Sequence, residues 1–199
     1  MDKLIDYYMT PASPYVYLGH ERFVAIASRH RATIAVKPID LGVVFPVSGG
    51  LPLAKRAPQR QAYRLVELTR WSRYLGVPLN LHPAHFPVST DLASRLLLAA
   101  LERSTDAALA LALAMSRALW TQERDISDAA TLQAICAECG GDAAALAARA
   151  DAPDIAMRYA ALTQEAIDRG IFGTPTYVYA GELFWGQDRL DFLDRALAK

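Results

Sequence analysis

The order in which the hydrophobic pattern changes along this chain narrows its possible folds more than any single motif. Residues 3–8 are a compact apolar run, with Leu4, Ile5, Tyr7 and Tyr8, of the kind that makes a buried strand. Ser13-Pro14 then gives a helix-start signal, with serine as N-cap and proline at the first helical position. That helix is predicted to reach about His30. "TIAVKPIDL" (33–41) reads as a second strand, with Ile34 and Val36 alternating. A crossover of this length implies parallel strands. From Gln59 to Arg169 the pattern is helical: "RQAYRLVELTRWSRYLG", ended by Gly76, then "STDLASRLLLAALERS", "TDAALALALAMSRALWTQ", "DAATLQAICAECGG" and "APDIAMRYAALTQEAIDRG". After Gly170 it reverts. Thr176–Tyr179 and Glu182–Trp185 flank Ala180-Gly181, a hairpin signal, and "DRLDFLDRALAK" closes as an amphipathic helix.

Neither strand-bearing piece alone makes a sheet with both faces covered, so the two are expected to share one sheet. The predicted organisation is a discontinuous α/β domain, residues 1–58 and 170–199, enclosing an all-helical insertion, residues 59–169. Residues 42–58, rich in Gly and Pro, are predicted as a loop. This β-α-β … β-β-α order with a helical insertion is that of a thioredoxin fold. A chain of 199 residues, 53% hydrophobic, suits one domain with a large insertion. Lys+Arg and Asp+Glu both number 21, which argues against the basic face that nucleic acid or an anionic membrane needs. A local basic pocket is still compatible with that balance. The most apolar stretch, "LLLAALERSTDAALALALAM", is broken by Glu102, Arg103 and Asp106, short of the ~20 apolar residues of a membrane span. "MDKLIDYY" is unlike a signal peptide, and two cysteines make no secreted disulfide framework. The expectation is a soluble cytoplasmic protein.

Three stretches offer chemistry. Ser13 either only caps its helix, or uses the free N–H groups and partial positive charge there to hold an anion. If the anion were a thiolate, its pKa would fall. A thioredoxin-type redox enzyme has Cys-x-x-Cys at this place; here it reads Ser13-Pro14-Tyr15-Val16, so the sulfur would have to arrive with a ligand. In "FGTPTY" (172–177), Pro175 is either an edge-strand proline or a cis proline, which would leave the Thr174 backbone to pair with an extended peptide. In "GQDRL" (186–190), Asp188 either caps the last helix, or Asp188 and Arg189 grip the ends of an amino acid. Cys136-Ala-Glu-Cys139 has redox spacing but ends a helix, where a thiol pKa rises, and zinc would need two more ligands, for which His82 and His85 are the remaining pair. A structural role is expected for these cysteines, and no metal. Lys55, Arg56 and Arg60 form either a solvated basic cluster or a contact for an acidic ligand. Trp71, Trp120 and Trp185 are expected in the core or a pocket wall.

Together, "SPYVYLG", "IDLGVVF", "AYRLVELTRWSRYLGVPLNLHPAHFPVST" and "GIFGTPTYVYAGELFWGQDRLDFL" resemble the 2-hydroxychromene-2-carboxylate isomerase family, which is close to kappa-class glutathione transferases and to DsbA-type oxidoreductases without their redox cysteines. The resemblance covers essentially the whole chain. It implies a glutathione-dependent isomerase of aromatic-compound catabolism, working by reversible thiolate addition, bond rotation and elimination. A kappa-class-like transferase or peroxidase, or a non-catalytic thioredoxin-fold binder, is the alternative. It implies that Ser13 meets the glutathione sulfur with Pro14 and Tyr15 beside it, and that Thr174, before Pro175, pairs with the cysteinyl backbone. Gln187, Asp188 and Arg189 would hold the γ-glutamyl end. Lys55, Arg56, His85 and Phe86 are candidates for an aromatic, acidic substrate, and a homodimer is implied. The chain departs from the family pattern in its long loop, where Phe-Lys-x-x-Gly-Asn becomes Phe45-Pro46-Val47-Ser48-Gly49-Gly50, and at Gln187, usually asparagine.

Overall fold

The computed structural model describes residues 3–199. Met1 and Asp2, part of the stretch on which a leader was discounted, lie outside the described residues. One four-stranded sheet forms, built from β1 (Leu4–Met9), β2 (Thr33–Pro38), β3 (Thr176–Tyr179) and β4 (Glu182–Trp185), in the order β2-β1-β3-β4. β1 runs parallel to β2, with Leu4 opposite Thr33 and Met9 opposite Pro38. β3 pairs antiparallel with β1, Tyr7 facing Tyr177, and β4 pairs antiparallel with β3. The two ends of the chain thus complete one sheet, as the interrupted pattern requires. The described first strand runs one residue later than the predicted 3–8, and the second stops at Pro38 rather than 41.

Alternation along β1 separates two packing faces. Ile5, Tyr7 and Met9 belong to a cluster with Val16 and Phe23 of α1 (Pro14–Arg29) and Leu190, Leu193 and Leu197 of α9 (Leu190–Leu197). At its centre the Tyr7 and Tyr177 rings stack at 5.4 Å, each 4.6 Å from Phe23. The same cluster continues without a break into the helical block, through Leu96 and Leu97 of α4 (Asp91–Leu101) and Met115 and Trp120 of α5 (Thr105–Thr121). Tyr8 and Val178, of opposite parity, pack with Ile39, Ile171, Val44 of α2 (Leu41–Ser48) and Ala166 of α8 (Pro153–Asp168).

The helix ends follow local chemistry. Pro58 and Pro153 open α3 (Pro58–Leu75) and α8, and Gly76, at φ 65°, ends α3 in the left-handed region. Asp128 caps α6 (Ala129–Glu138), accepting from the Thr131 N–H at 2.7 Å. Residues 42–58 are not all loop: α2 occupies Leu41–Ser48 and a 3-10 turn spans Leu53–Lys55. Asp40 supplies the unforeseen cap, its carboxylate accepting from the Gly42 N–H at 2.7 Å, and burial of Val44 fixes the helix against α8. α7 (Ala143–Ala150) is a second helix beyond the sequence reading, capped by Asp142 through the Ala145 N–H at 3.0 Å. No described helix is long and apolar enough to cross a membrane.

The block is pinned to the sheet by charge as well as by apolar packing. Lys37 of β2 meets Asp6 at 3.0 Å and Glu165 of α8 at 2.7 Å, while Arg169 meets Asp6 at 2.6 Å and Glu165 at 3.2 Å. The Tyr8 hydroxyl donates to the same Glu165 carboxylate at 2.6 Å.

Candidate active site

Ser13 is buried and is the N-cap of α1, its hydroxyl accepting from the Val16 N–H at 3.3 Å. The same hydroxyl donates to the Thr174 carbonyl, also at 3.3 Å. The capping and the functional readings of Ser13 are therefore compatible, because one oxygen caps while its proton faces another part of the chain. The Thr174–Pro175 bond is cis. The Pro175 carbonyl in turn accepts from the Gly186 N–H at 2.9 Å, at the start of the 3-10 turn Gln187–Arg189. All three stretches singled out in the sequence therefore converge beside the α1 entrance.

Donors remain free at this point. Among the described residues the Thr174 N–H and the Tyr15 N–H find no acceptor, and the buried Thr174 Oγ1 has no partner. Pro14 has no N–H to offer. Tyr15 is half-buried, and burial holds its phenol above the usual tyrosine pKa, so at neutral pH it is a neutral donor. The charges of Arg64, Glu67, Arg56 and Asp188 all bear on that phenol, which places α3 and the 187–189 turn around it.

The 187–189 turn departs from expectation in two respects. Gln187 is buried beneath α1: its Oε1 accepts from Arg22 at 3.1 Å, and its Cβ lies 2.7 Å from where a side chain on Gly19 would begin. Its amide oxygen thus braces the turn against α1, while its buried Nε2 has no partner among the described residues. Asp188 does not cap α9, which starts without a side-chain cap. Its carboxylate lies under Gly186, whose φ of 103° only glycine adopts readily, and pairs with Arg189 at 2.8 Å.

Among the substrate-side candidates, Arg56 stands near Tyr15 and donates to the Leu51 carbonyl at 2.8 Å. Phe86 packs on Trp120 with ring centres 4.9 Å apart. His85 turns to Asp125 instead, at 3.7 Å, and Lys55 is exposed with no partner among the described residues. The Phe45 ring fills the space a side chain at Gly50 would need, a packing reason for glycine at that loop position. Trp120 is core, whereas Trp185 is half-exposed and meets Phe172 edge-on at 4.7 Å. Arg64 was not foreseen: within "RQAYRLVEL" it looks like any surface arginine, and only the fold brings Phe86 and Trp120 to it.

Cys136 lies buried near the end of α6 and Cys139 follows it as the C-cap, so neither thiol has a helix N-terminus. Burial pushes the Cys136 thiol up to about 11 and also raises that of Cys139. Cys136 lines a void of about 20 Å³, room for a single water.

The DSBA-like thioredoxin domain profile matches residues 4–198. The chain belongs to the DsbA-like thioredoxin family. Within that family its near relatives are 2-hydroxychromene-2-carboxylate isomerases. The one from Sphingobium xenophagum is 30% identical over 99% of this chain and 99% of its own length. The one from Pseudomonas putida is 29% identical over 98% of this chain and 95% of its own. A solved structure of 2-hydroxychromene-2-carboxylate isomerase superposes with a TM-score of 0.82 at 27% identity, covering 98% of this chain and 94% of that one. These relatives support an isomerase role.

Proposed function

We propose that this protein is a glutathione-dependent isomerase acting on a 2-hydroxychromene-2-carboxylate-like aromatic acid. The observation that carries this reading is the Ser13 hydroxyl facing the Thr174 carbonyl, at the place where a redox thioredoxin carries its cysteine. The groups left free there fit a cysteinyl peptide. Thr174 N–H lacks an acceptor, Thr174 Oγ1 lacks a partner, and both belong to the segment before a cis proline. An extended tripeptide satisfies such backbone by adding short strand-like pairing.

Ser13 has one proton, now given to the Thr174 carbonyl. Turning that proton toward a sulfur frees the carbonyl to accept a cysteinyl N–H, so one rotation serves both contacts. The Tyr15 N–H and the N-terminal end of α1 add positive potential at the same point, which lowers a thiol pKa. The Tyr15 phenol, kept protonated by its burial, donates a hydrogen bond to a substrate oxygen without ionising. The turn 187–189 offers backbone, with Asp188 and Arg189, to the charged end of the peptide. Glutathione, when bound, supplies the nucleophilic thiolate that permits bond rotation in the substrate and is regenerated.

Ser13→Ala removes the hydroxyl proton that the helix entrance itself offers at this point. Turnover in the presence of glutathione is expected to fall by about a hundredfold or more, the usual loss for one preorganised donor. Calorimetric titration with glutathione, read beside the ultraviolet absorbance of the thiolate, should show binding by both forms and a higher thiol pKa in the variant. Turnover that survives Ser13→Ala unchanged, or wild-type protein that takes up no glutathione, sinks the reading.

A further inference from the structure

Arg64, near the start of α3, is half-buried and has no counter-ion. Among the described residues nothing accepts a hydrogen bond from it or pairs with it. The other arginines without a hydrogen bond or ion pair, namely Arg31, Arg60, Arg73, Arg103, Arg158 and Arg195, are all exposed to water. The other partly buried ones are satisfied: Arg22, Arg95, Arg124 and Arg149 each meet a carboxylate, and Arg56 meets a carbonyl. Arg64 instead lies 5.2 Å from the centre of the Phe86 ring and 5.9 Å from that of Trp120.

A guanidinium withdrawn from water needs acceptors for its five N–H groups. Two aromatic faces attract its charge but take up few of those donors. Burial accordingly draws its pKa down, and the positive charge of Arg56 adds to the effect. Its position is not remote, since it is the largest charge acting on the Tyr15 phenol, two residues from Ser13. The local inventory is thus an unspent planar fork, an aromatic pair against it, a second cation, and a neutral phenol. That set matches a carboxylate carried on a flat aromatic ring, which guanidinium binds in bidentate fashion.

We propose that Arg64 is a substrate-binding residue whose guanidinium takes the carboxylate of an aromatic acid beside the Phe86–Trp120 pair. The proposal rests on the isomerase reading for the identity of the acid, but it makes a separate claim about binding in the absence of glutathione. The test is equilibrium binding of coumarin-3-carboxylate and of its neutral ethyl ester, followed by calorimetry and tryptophan fluorescence, without and with glutathione. Wild-type protein is expected to bind the acid and to prefer it to the ester. Arg64→Met, which keeps the length of the stem, should weaken the acid by about tenfold to a hundredfold and leave the ester unchanged. Arg64→Lys should restore part of the acid's affinity through charge, but not the bidentate contact. In turnover assays the Arg64→Met loss should fall on KM more than on kcat, with glutathione affinity unaltered.

Equal binding of acid and ester by wild-type protein overturns the proposal, as does an acid affinity untouched by Arg64→Met, or no binding of the acid at all. The comparison of acid with ester needs no variant, so a misfolded Arg64→Met cannot shelter the claim. Failure to bind glutathione with acid binding intact would defeat the functional reading and leave Arg64's role standing. The reverse pattern would defeat Arg64's role alone.

Discussion

At the scale of single residues, the protein holds polar groups in places where only their neutral forms are comfortable. His20 on α1 is the clearest. It is 3% exposed, its Nδ1 has no partner, and burial lowers its pKa to about 4, with Arg117 acting in the same direction against a backbone hydrogen bond with Leu109. An unfolded histidine titrates near ~6.5. Between those values the unfolded chain binds the proton and the folded chain does not, so stability is complete above about pH 6.5 and declines as the pH falls toward 4. The size follows from the gap: the loss reaches about 3 kcal/mol at the low end. Urea unfolding at intervals between pH 7 and pH 4.5 should show this slope in wild-type protein and a flatter one in His20→Gln. Equal slopes would mean that water or a rearrangement stabilises the charged ring. His20 was invisible as a special residue in the sequence, because nothing in "YLGHERF" says that this turn of α1 faces α5. Ser13 and Thr174 were legible, since their chemistry is tied to a helix entrance and to a proline. Arg64 was not, because its significance lies wholly in the two rings that the loop after α3 and the end of α5 bring to it.

Elements defined by local chemistry were the readable ones. β3 and β4 fall where Ala180-Gly181 places them, because a hairpin turn sets the register of both strands at once. α2 was missed because Gly42, Pro46 and Gly49 mark a loop by local rules, whereas the Asp40 cap and the burial of Val44 outweigh them. The attachment of α8 was also beyond sequence reading, since Asp6 comes from β1, Lys37 from β2, and Glu165 and Arg169 from the end of α8, three segments far apart in the chain. Burial alone would raise the Glu165 pKa, yet hydrogen bonds from Lys37, Tyr8 and Arg169 overcome it and hold the carboxylate below its usual value. Its contribution is therefore present above the unfolded glutamate pKa of about 4.3 and is lost as the pH falls through the lower folded value. This window lies below that of His20, so the two effects can be separated in one titration. Glu165→Gln should cost about 1–2 kcal/mol at pH 7, less than a fully buried pair because solvent reaches the carboxylate. It should also reduce the stability lost between pH 4 and pH 3. A variant that keeps the wild-type acid slope would show that Asp6 alone holds the cluster.

Over the whole molecule, one hydrophobic cluster runs from β1 through α1 and α9 into α4 and α5, although these elements come from both sides of the insertion boundaries. The helical block therefore has no separate core on the side that meets the sheet, and the proposed site would lie along this shared boundary, with Ser13 and Thr174 on one side and Arg64 and Phe86 on the other. Its Cys-x-x-Cys lies away from those groups with raised thiol pKa values, so Cys136→Ser with Cys139→Ser should leave glutathione binding and turnover at wild-type levels. The continuity of the core makes a stricter demand. If sheet and block fold as one cooperative unit, amides of Ile5–Tyr8 in β1 and of Leu111–Met115 in α5 must open with the same free energy, equal to that of global unfolding. Native-state hydrogen exchange in low urea measures both sets at once. Opening energies that agree within about 1 kcal/mol and respond to urea with the global m-value are expected. A block that opens at lower free energy than β1 would mean that the substrate side of the site can loosen while the Ser13 side stays folded. Arg64→Met would then act through a local equilibrium as well as through a lost contact.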